Sequence, residues 1–358
     1  MSNVIQLNVP SQRQDAATRH AALISSFASY RRFGDDVFWL KENAELLNIL
    51  ECTGAELSET ALQPHQEFYD QVEKRLGFFP QYYRFLLSIC LDLEDLGMPG
   101  SKAEALCQWA AKEGLVEAEL SDLQRLEARR LTSRRGIDPL PADTGLEERA
   151  HRFINRPETF AMPNKKAAYE LTHIVFYLSE YGRRDPNLSP EAITSLEYAG
   201  ILAYLDQNAD LLAEICISLR YSGVKPSQIW ESWLERETHR FGVETGAQVS
   251  TVDNYHDFFV CNWLMAASGR DAFRKETSFD RMAFFRATPF SGALREMSEC
   301  MFHMEDARSA DWHVMRPHVE SALSETGHDI LTEAEQSSDK FADFFAGFAR
   351  TGLRGIAL

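Results

Sequence analysis

Helix-ending glycines at a regular spacing constrain this chain most. Gly54, Gly97, Gly182, Gly223, Gly269 and Gly352 each follow an apolar helical segment, separated by 43, 85, 41, 46 and 83 residues. A glycine just past a helix accepts the left-handed conformation that closes the last turn. Taken as one, two, one, one and two steps, the separations give a unit of about 42 residues. Two helices and two turns fill that length. Four residues before the glycines stand Leu50, Leu93, Leu178, Leu219, Met265 and Phe348, and eight before stand Leu46, Ile89, Ile174, Ile215, Cys261 and Phe344. Eleven before stand Asn43, Leu86, Leu171, Leu212, Phe258 and Phe341. Only Asn43 among these eighteen is polar. The unit due near residue 139 is mostly polar, and the one near 308 lacks its glycine.

These helices are apolar around much of their circumference, which predicts burial. The segments between them, such as 118–134 and 226–240, carry more charge and are expected outside. No strand-like alternation persists, and Pro (13) and Gly (19) are few. An all-α fold of repeated helical hairpins follows, either an open α-solenoid or a closed α/α-toroid. Ser189-Pro190-Glu191 is a helix start with a serine cap and proline in the first turn. Lys225-Pro226-Ser227 reads as another start, and Asp35-Asp36 as an N-cap. Residues 1–12 and 353–358 are expected to be tails around a helical region 13–352. Its strongest break, 134–145, is the boundary if there are two lobes.

The architecture resembles the α/α-toroid class, which includes terpenoid cyclases, six-hairpin glycosidases, sugar epimerases and lanthionine cyclases. The resemblance spans about residues 36–352. Neither the DxDD box of terpenoid cyclases nor the adjacent Cys-His pair of lanthionine cyclases occurs, so it implies neither activity.

Charge narrows the partners. Asp plus Glu number 54 against 37 Lys plus Arg, a formal net charge of −17 over 358 residues. Phosphate backbones and anionic lipids call for basic surfaces, so neither nucleic acid nor a membrane is an expected partner. No apolar run reaches the roughly 18 residues of a membrane span. The six scattered cysteines read as reduced thiols, and a cytoplasmic location is expected.

A helical wheel sets positions 5, 9 and 12 before each glycine on one strip, opposite the apolar stripe. That strip holds Glu42, Glu45, Ser88, Asp92, Glu170, His173, Tyr177, Glu214, Ser218, Asp257 and Asp343, with His256 beside Asp257. Polar groups on otherwise apolar helices need water or a partner. Glu170-x-x-His173 is the sharpest local motif, since residues three apart share a helix face and can reach one ion. His256-Asp257 would complete a set suited to a divalent metal, iron or zinc. Without a metal, His173 is a candidate general base oriented by Glu170, with Tyr177 as acid or positioning group. The plain alternative is a packed core histidine. Glu170, His173, Tyr177, His256 and Asp257 are thus the candidate catalytic residues, and Glu170, His173, His256 and Asp257 the candidate metal ligands.

Other motifs are weaker. Cys300-x-x-His303 has ligand spacing, Glu235-x-x-x-His239 fits a surface pair, and Arg129, Arg130, Arg134 and Arg135 form a basic stretch that could meet an anion or end a solvated helix. No Walker loop, GxGxxG or GxSxG motif occurs. The expected function is an enzyme processing a small molecule or peptide in an acidic His/carboxylate central cavity, by metal or acid–base chemistry. The alternative is a noncatalytic helical-repeat scaffold that binds a protein partner.

Overall fold

A computed structural model describes residues 14–33, 36–58, 60–287 and 292–351. The expected tails and Gly352 lie outside these residues. The described chain is all-helical apart from one small two-stranded sheet, as the spacing predicted. Its first helices are α1 (Ala16–Ser29), α2 (Val37–Cys52), α3 (Gln66–Phe78), α4 (Tyr83–Asp95), α5 (Lys102–Lys112) and α6 (Asp122–Ser133). There follow α7 (Leu146–Ile154), α8 (Pro157–Phe160), α9 (Lys165–Leu178), α10 (Pro190–Leu205), α11 (Ala209–Tyr221), α12 (Gln228–Arg240) and α13 (Tyr255–Ala267). The last are α14 (Ala293–His303), α15 (Trp312–Ala322), α16 (Glu325–Ser337) and α17 (Phe341–Phe348). Strands β1 (Gly242–Thr245) and β2 (Met282–Phe285) pair antiparallel. No described helix is long and apolar enough to cross a membrane.

The cap residues do their expected work. The Ser189 side chain accepts the Ala192 amide ahead of Pro190, and Asp36 accepts that of Phe38. Gly54, Gly97, Gly223 and Gly269 all have positive φ. The amide after each glycine returns to a carbonyl four residues before it: Ala55 to Leu50, Met98 to Leu93, Val224 to Leu219 and Arg270 to Met265. Gly136 ends α6 in the same way, with Ile137 bonded to Thr132. The missing unit is therefore α6. At α9 the cap differs. Glu180 takes the left-handed position (φ 49°), and Gly182 comes two residues later. Gly182 is needed for space as well, because a Cβ there would meet the Tyr221 ring at 2.5 Å.

Six helices make the core. α4 packs on α2 and α6, α6 on α9, α9 on α11, and α11 on α13, which also touches α2. Each is flanked by a helix that precedes it in the chain: α1 on α2, α3 on α4, α5 on α6, α7 and α8 on α9, α10 on α11 and α12 on α13. The alternation explains the apolar stripes, which face these flanking helices. Asn43, the polar exception, donates to the α1 carbonyl of Phe27 at 3.1 Å and accepts from His65 at 2.7 Å.

The C-terminal helices depart from the expected repeat. α16 and α17 lie against α10, and α14 joins α15 and α16. The aromatic residues of α17 pack against Trp312 and Tyr198, and Asp343 is exposed. Because α10 is covered by α11 on one side and by this unit on the other, it is buried almost all round. The loop at 134–145 does not separate its flanks, since α6 and α9 pack directly together.

Leu178 and Leu219 occupy matching, fully buried positions. Truncating either to Ala is expected to cost about 2–5 kcal/mol, through lost transfer energy and an unfilled cavity. Urea melts checking both should show lowered midpoints with unchanged slope.

Candidate functional site

One cavity of about 190 Å³ is lined by residues from all six core helices. A cavity of that size suits a small molecule. The position nine before the glycine reaches the wall in every helix: Glu45, Ser88, Glu127, His173, Glu214 and Val260. Tyr177, His256, Arg130 and Asn48 add polar groups, and Phe176, Tyr181 and Trp263 an aromatic side. α6, expected among the outer charged helices, contributes Glu127, Arg130 and Leu131 to the wall.

The expected site residues divide. His173, Tyr177 and His256 line the cavity, and Glu170 and Asp257 do not. Glu170 lies one residue past the stripe. Asp257 turns toward Arg286, at 3.7 Å, which also holds Glu237 at 2.8 Å. Glu42 is taken by Arg31 and Arg32, and Asp92 by Arg134. Ser218 Oγ donates to the Glu214 carbonyl within its own helix. Cys300 and His303 sit on α14, and Glu235 pairs with Arg270 on the outside of α12. None of these four side chains lines the cavity.

The tightest group of ligating atoms is a different one. Asp210, Glu214 and His256 each offer one atom, all within 4.8 Å of one another. Asp210 and Glu214 lie four apart on α11, so both side chains leave one face. They are 8% and 2% exposed. His256 enters from the start of α13. Its Nδ1 lies 3.3 Å from Glu45 Oε2, and its Nε2 lies 3.3 Å from Asp210 Oδ1. Burial alone would lower the His256 pKa, but the hydrogen bond to Glu45 and the charges of Asp210, Glu45 and Glu214 outweigh it, pushing it up to about 10. Metal-free, the ring is therefore an imidazolium between two carboxylates.

Neighbours orient the group. Tyr169 donates its hydroxyl to Asp210 Oδ2 at 2.6 Å, and Thr172 donates to Glu214 Oε2 at 2.5 Å. Burial raises the Glu214 pKa, an effect partly offset by His173, whose Nδ1 lies 3.8 Å away. Asp210 Oδ1 is buried with no hydrogen-bond partner, because its approach to His256 lacks hydrogen-bond geometry. A buried carboxylate oxygen without a hydrogen bond is costly, and the nearby His256 imidazolium offers it charge but no hydrogen bond.

His173 has a defined tautomer. Its Nδ1 lies 2.7 Å from the Tyr169 carbonyl oxygen, which can only accept. Nδ1 therefore carries a proton, and in the neutral ring the lone pair lies on Nε2. Burial raises the Tyr177 hydroxyl pKa well above its ordinary value, so it stays protonated and serves as a donor.

Asp210, Glu127 and Asn48 escaped the sequence reading. A signal for Asp210 existed: Asp210-x-x-x-Glu214 lies on a helix otherwise almost wholly apolar, ADLLAEICISLRY. No curated protein and no solved structure matches the chain. A family model described as a domain of unknown function, DUF6902, matches residues 1–351, and the chain belongs to that family.

Proposed function

We propose that the six core helices form a closed α/α-toroid, and that its cavity is the active site of a divalent-metal-dependent enzyme acting on a small molecule. Support for closure comes from the circuit of helix contacts, in which α13 returns to α2. The observation that carries the metal reading is the unbonded, buried Asp210 Oδ1 beside Glu214 and His256. One imidazole and two carboxylates suit zinc or iron.

In this reading His256 Nε2, Asp210 and Glu214 would hold the cation, with the ring protonated on Nδ1 alone. Glu45 accepts from Nδ1–H on the far side of the ring and fixes its orientation, as carboxylates behind metal-bound histidines do. Tyr169 and Thr172 hold the two acidic ligands. The metal would supply Lewis-acid activation of an oxygen on the substrate or of water. His173, with its free Nε2 on the cavity wall, is the general base, and Tyr177 donates a positioning hydrogen bond. A cavity this small favours a small ligand over a peptide or a docked protein.

Metal content after equilibrium dialysis tests the reading. Untagged protein dialysed against Zn²⁺, or anaerobically against Fe²⁺, should retain about one equivalent. Asp210→Asn and His256→Ala should retain almost none, with helical circular dichroism unchanged. His173→Ala should keep the metal. A wild-type protein that retains none, or variants that retain as much, contradicts the proposal.

A further inference from the structure

Four arginines crowd the end of α6 and the loop after it, and three have acidic partners. Arg134 pairs with Asp92 at 2.6 Å, Arg135 with Glu94 and Asp95 at 3.0 and 2.9 Å, and Arg129 with Asp138 at 3.5 Å. Arg130 turns the other way, into the cavity wall. It is only 6% exposed, and its Nε and Nη2 are buried without a hydrogen-bond partner. Its Cζ lies 4.2 Å from the centre of the Tyr181 ring, which fixes the guanidinium plane without satisfying its N–H groups. Asn48, on α2 and also lining the cavity, has a buried Nδ2 with no acceptor.

Unpaired donors on a buried guanidinium are as costly as the unpaired oxygen of Asp210. The two sets differ in sign. Arg130 and Asn48 lack acceptors, whereas Asp210 Oδ1 lacks a donor. Arg130 lies on α6 and His256 on α13, three helices apart by either route around the contact circuit. A ligand filling the cavity can therefore meet donors on one wall and the acidic group on another.

We infer that the ligand of this cavity is a small carboxylic acid whose carboxylate is held by the Arg130 fork, with Asn48 as an additional donor. The inference rests on the metal-site reading only for what happens at the ligand's other end. Nε and Nη2 form one edge of the planar guanidinium, and a carboxylate matches such an edge with two parallel hydrogen bonds. One unpaired arginine suits one negative charge. Lys41 and His256 on the same wall are already paired with Glu45, which leaves Arg130 as the lining cation without an ion pair and favours one negative charge over the two of a phosphate dianion. The aromatic side formed by Phe176, Tyr181 and Trp263 accepts an apolar or aromatic body behind the carboxylate; Phe176 and Trp263 are 4.8 Å apart between ring centres.

Fluorine NMR of 4-fluorobenzoate, with acetate and inorganic phosphate as competitors, tests this on the full chain. The fluorine signal of the wild type should broaden and shift saturably, and acetate should compete better than phosphate. Arg130→Gln should weaken binding at least about tenfold, the loss expected for a charged hydrogen-bonded pair. Arg130→Lys keeps the charge but loses the fork, and should also bind more weakly. Unchanged circular dichroism and unchanged zinc retention in both variants show that fold and metal site persist. Asp210→Asn should lose zinc and still bind 4-fluorobenzoate, so the two readings fail separately. Equal binding by wild type and Arg130→Gln, no binding by the wild type, or phosphate preferred over both acids overturns the inference.

Discussion

Replacing Arg31 with Met is expected to destabilise the protein by about 3–5 kcal/mol, the usual cost of stranding buried charges. Arg31 lies between α1 and α2 with its side chain wholly buried. Its Nε donates to Glu42 at 3.0 Å, and its two Nη groups grip both oxygens of Asp253 at 2.8 and 2.9 Å. It also bonds the Met282 carbonyl of β2 and stacks on Phe27 and Tyr255. The first helical pair is thereby tied to the start of α13 and to strand β2. Methionine would fill most of the volume and keep the aromatic contacts. It would leave Asp253 buried with no cation, while Glu42 would keep Arg32. Urea denaturation measures the loss, and hydrogen exchange should show α1, the β1–β2 pair and the start of α13 opening together. A change below about 1 kcal/mol would mean that this arginine does not tie the first helical pair to α13.

Acid should unfold the protein partly through His65. This side chain is fully buried between α2 and α3, with its Nε2 donating to Asn43 Oδ1 and its Nδ1 unpartnered. Burial lowers its pKa to about 3. An unfolded chain binds the proton near pH 6.5, whereas the folded ring stays neutral. Stability from this group is therefore complete above about pH 6.5 and is lost as pH falls toward 3. The total loss is on the order of 4 kcal/mol. His65→Gln keeps a donor for Asn43 but removes the titration. Stability plotted between pH 6 and pH 4 should then lose about one proton of slope relative to wild type. Parallel curves for the two proteins would refute the assignment.

The fold was legible because glycine caps and apolar stripes are local signals. Counting from the caps located five of the six core helices. It missed α6, whose arginines and glutamate mimic a surface helix although Arg130 and Glu127 face the cavity. It also extended the repeat to α17, where Phe341, Phe344 and Phe348 reproduce the stripe but Phe341 packs against Trp312 and Phe344 against Tyr198. An apolar stripe reports burial and not what does the burying. The cavity wall was legible to within one residue. Position nine before the cap was the right wall position, giving Glu45, His173 and Glu214. The wheel continued three residues back, to Glu170 and Asp257. The acidic group instead continues four back, to Tyr169, Asp210 and His256. Rows in steps of four and in steps of three incline oppositely to a helix axis, and only three-dimensional packing selects between them. Pairings across helices, such as His256 with Glu45 over 211 residues of chain, leave no local trace.

Anomalous diffraction from crystals grown with Zn²⁺ tests the account most directly, because it locates the ion and the helices together. The account predicts a single strong zinc peak inside the closed circuit of six helices, bound by Asp210, Glu214 and His256 Nε2, with Glu45 on Nδ1. Zinc bound only elsewhere, or a cavity in which His256 still bridges Glu45 and Asp210 at saturating zinc, would contradict it.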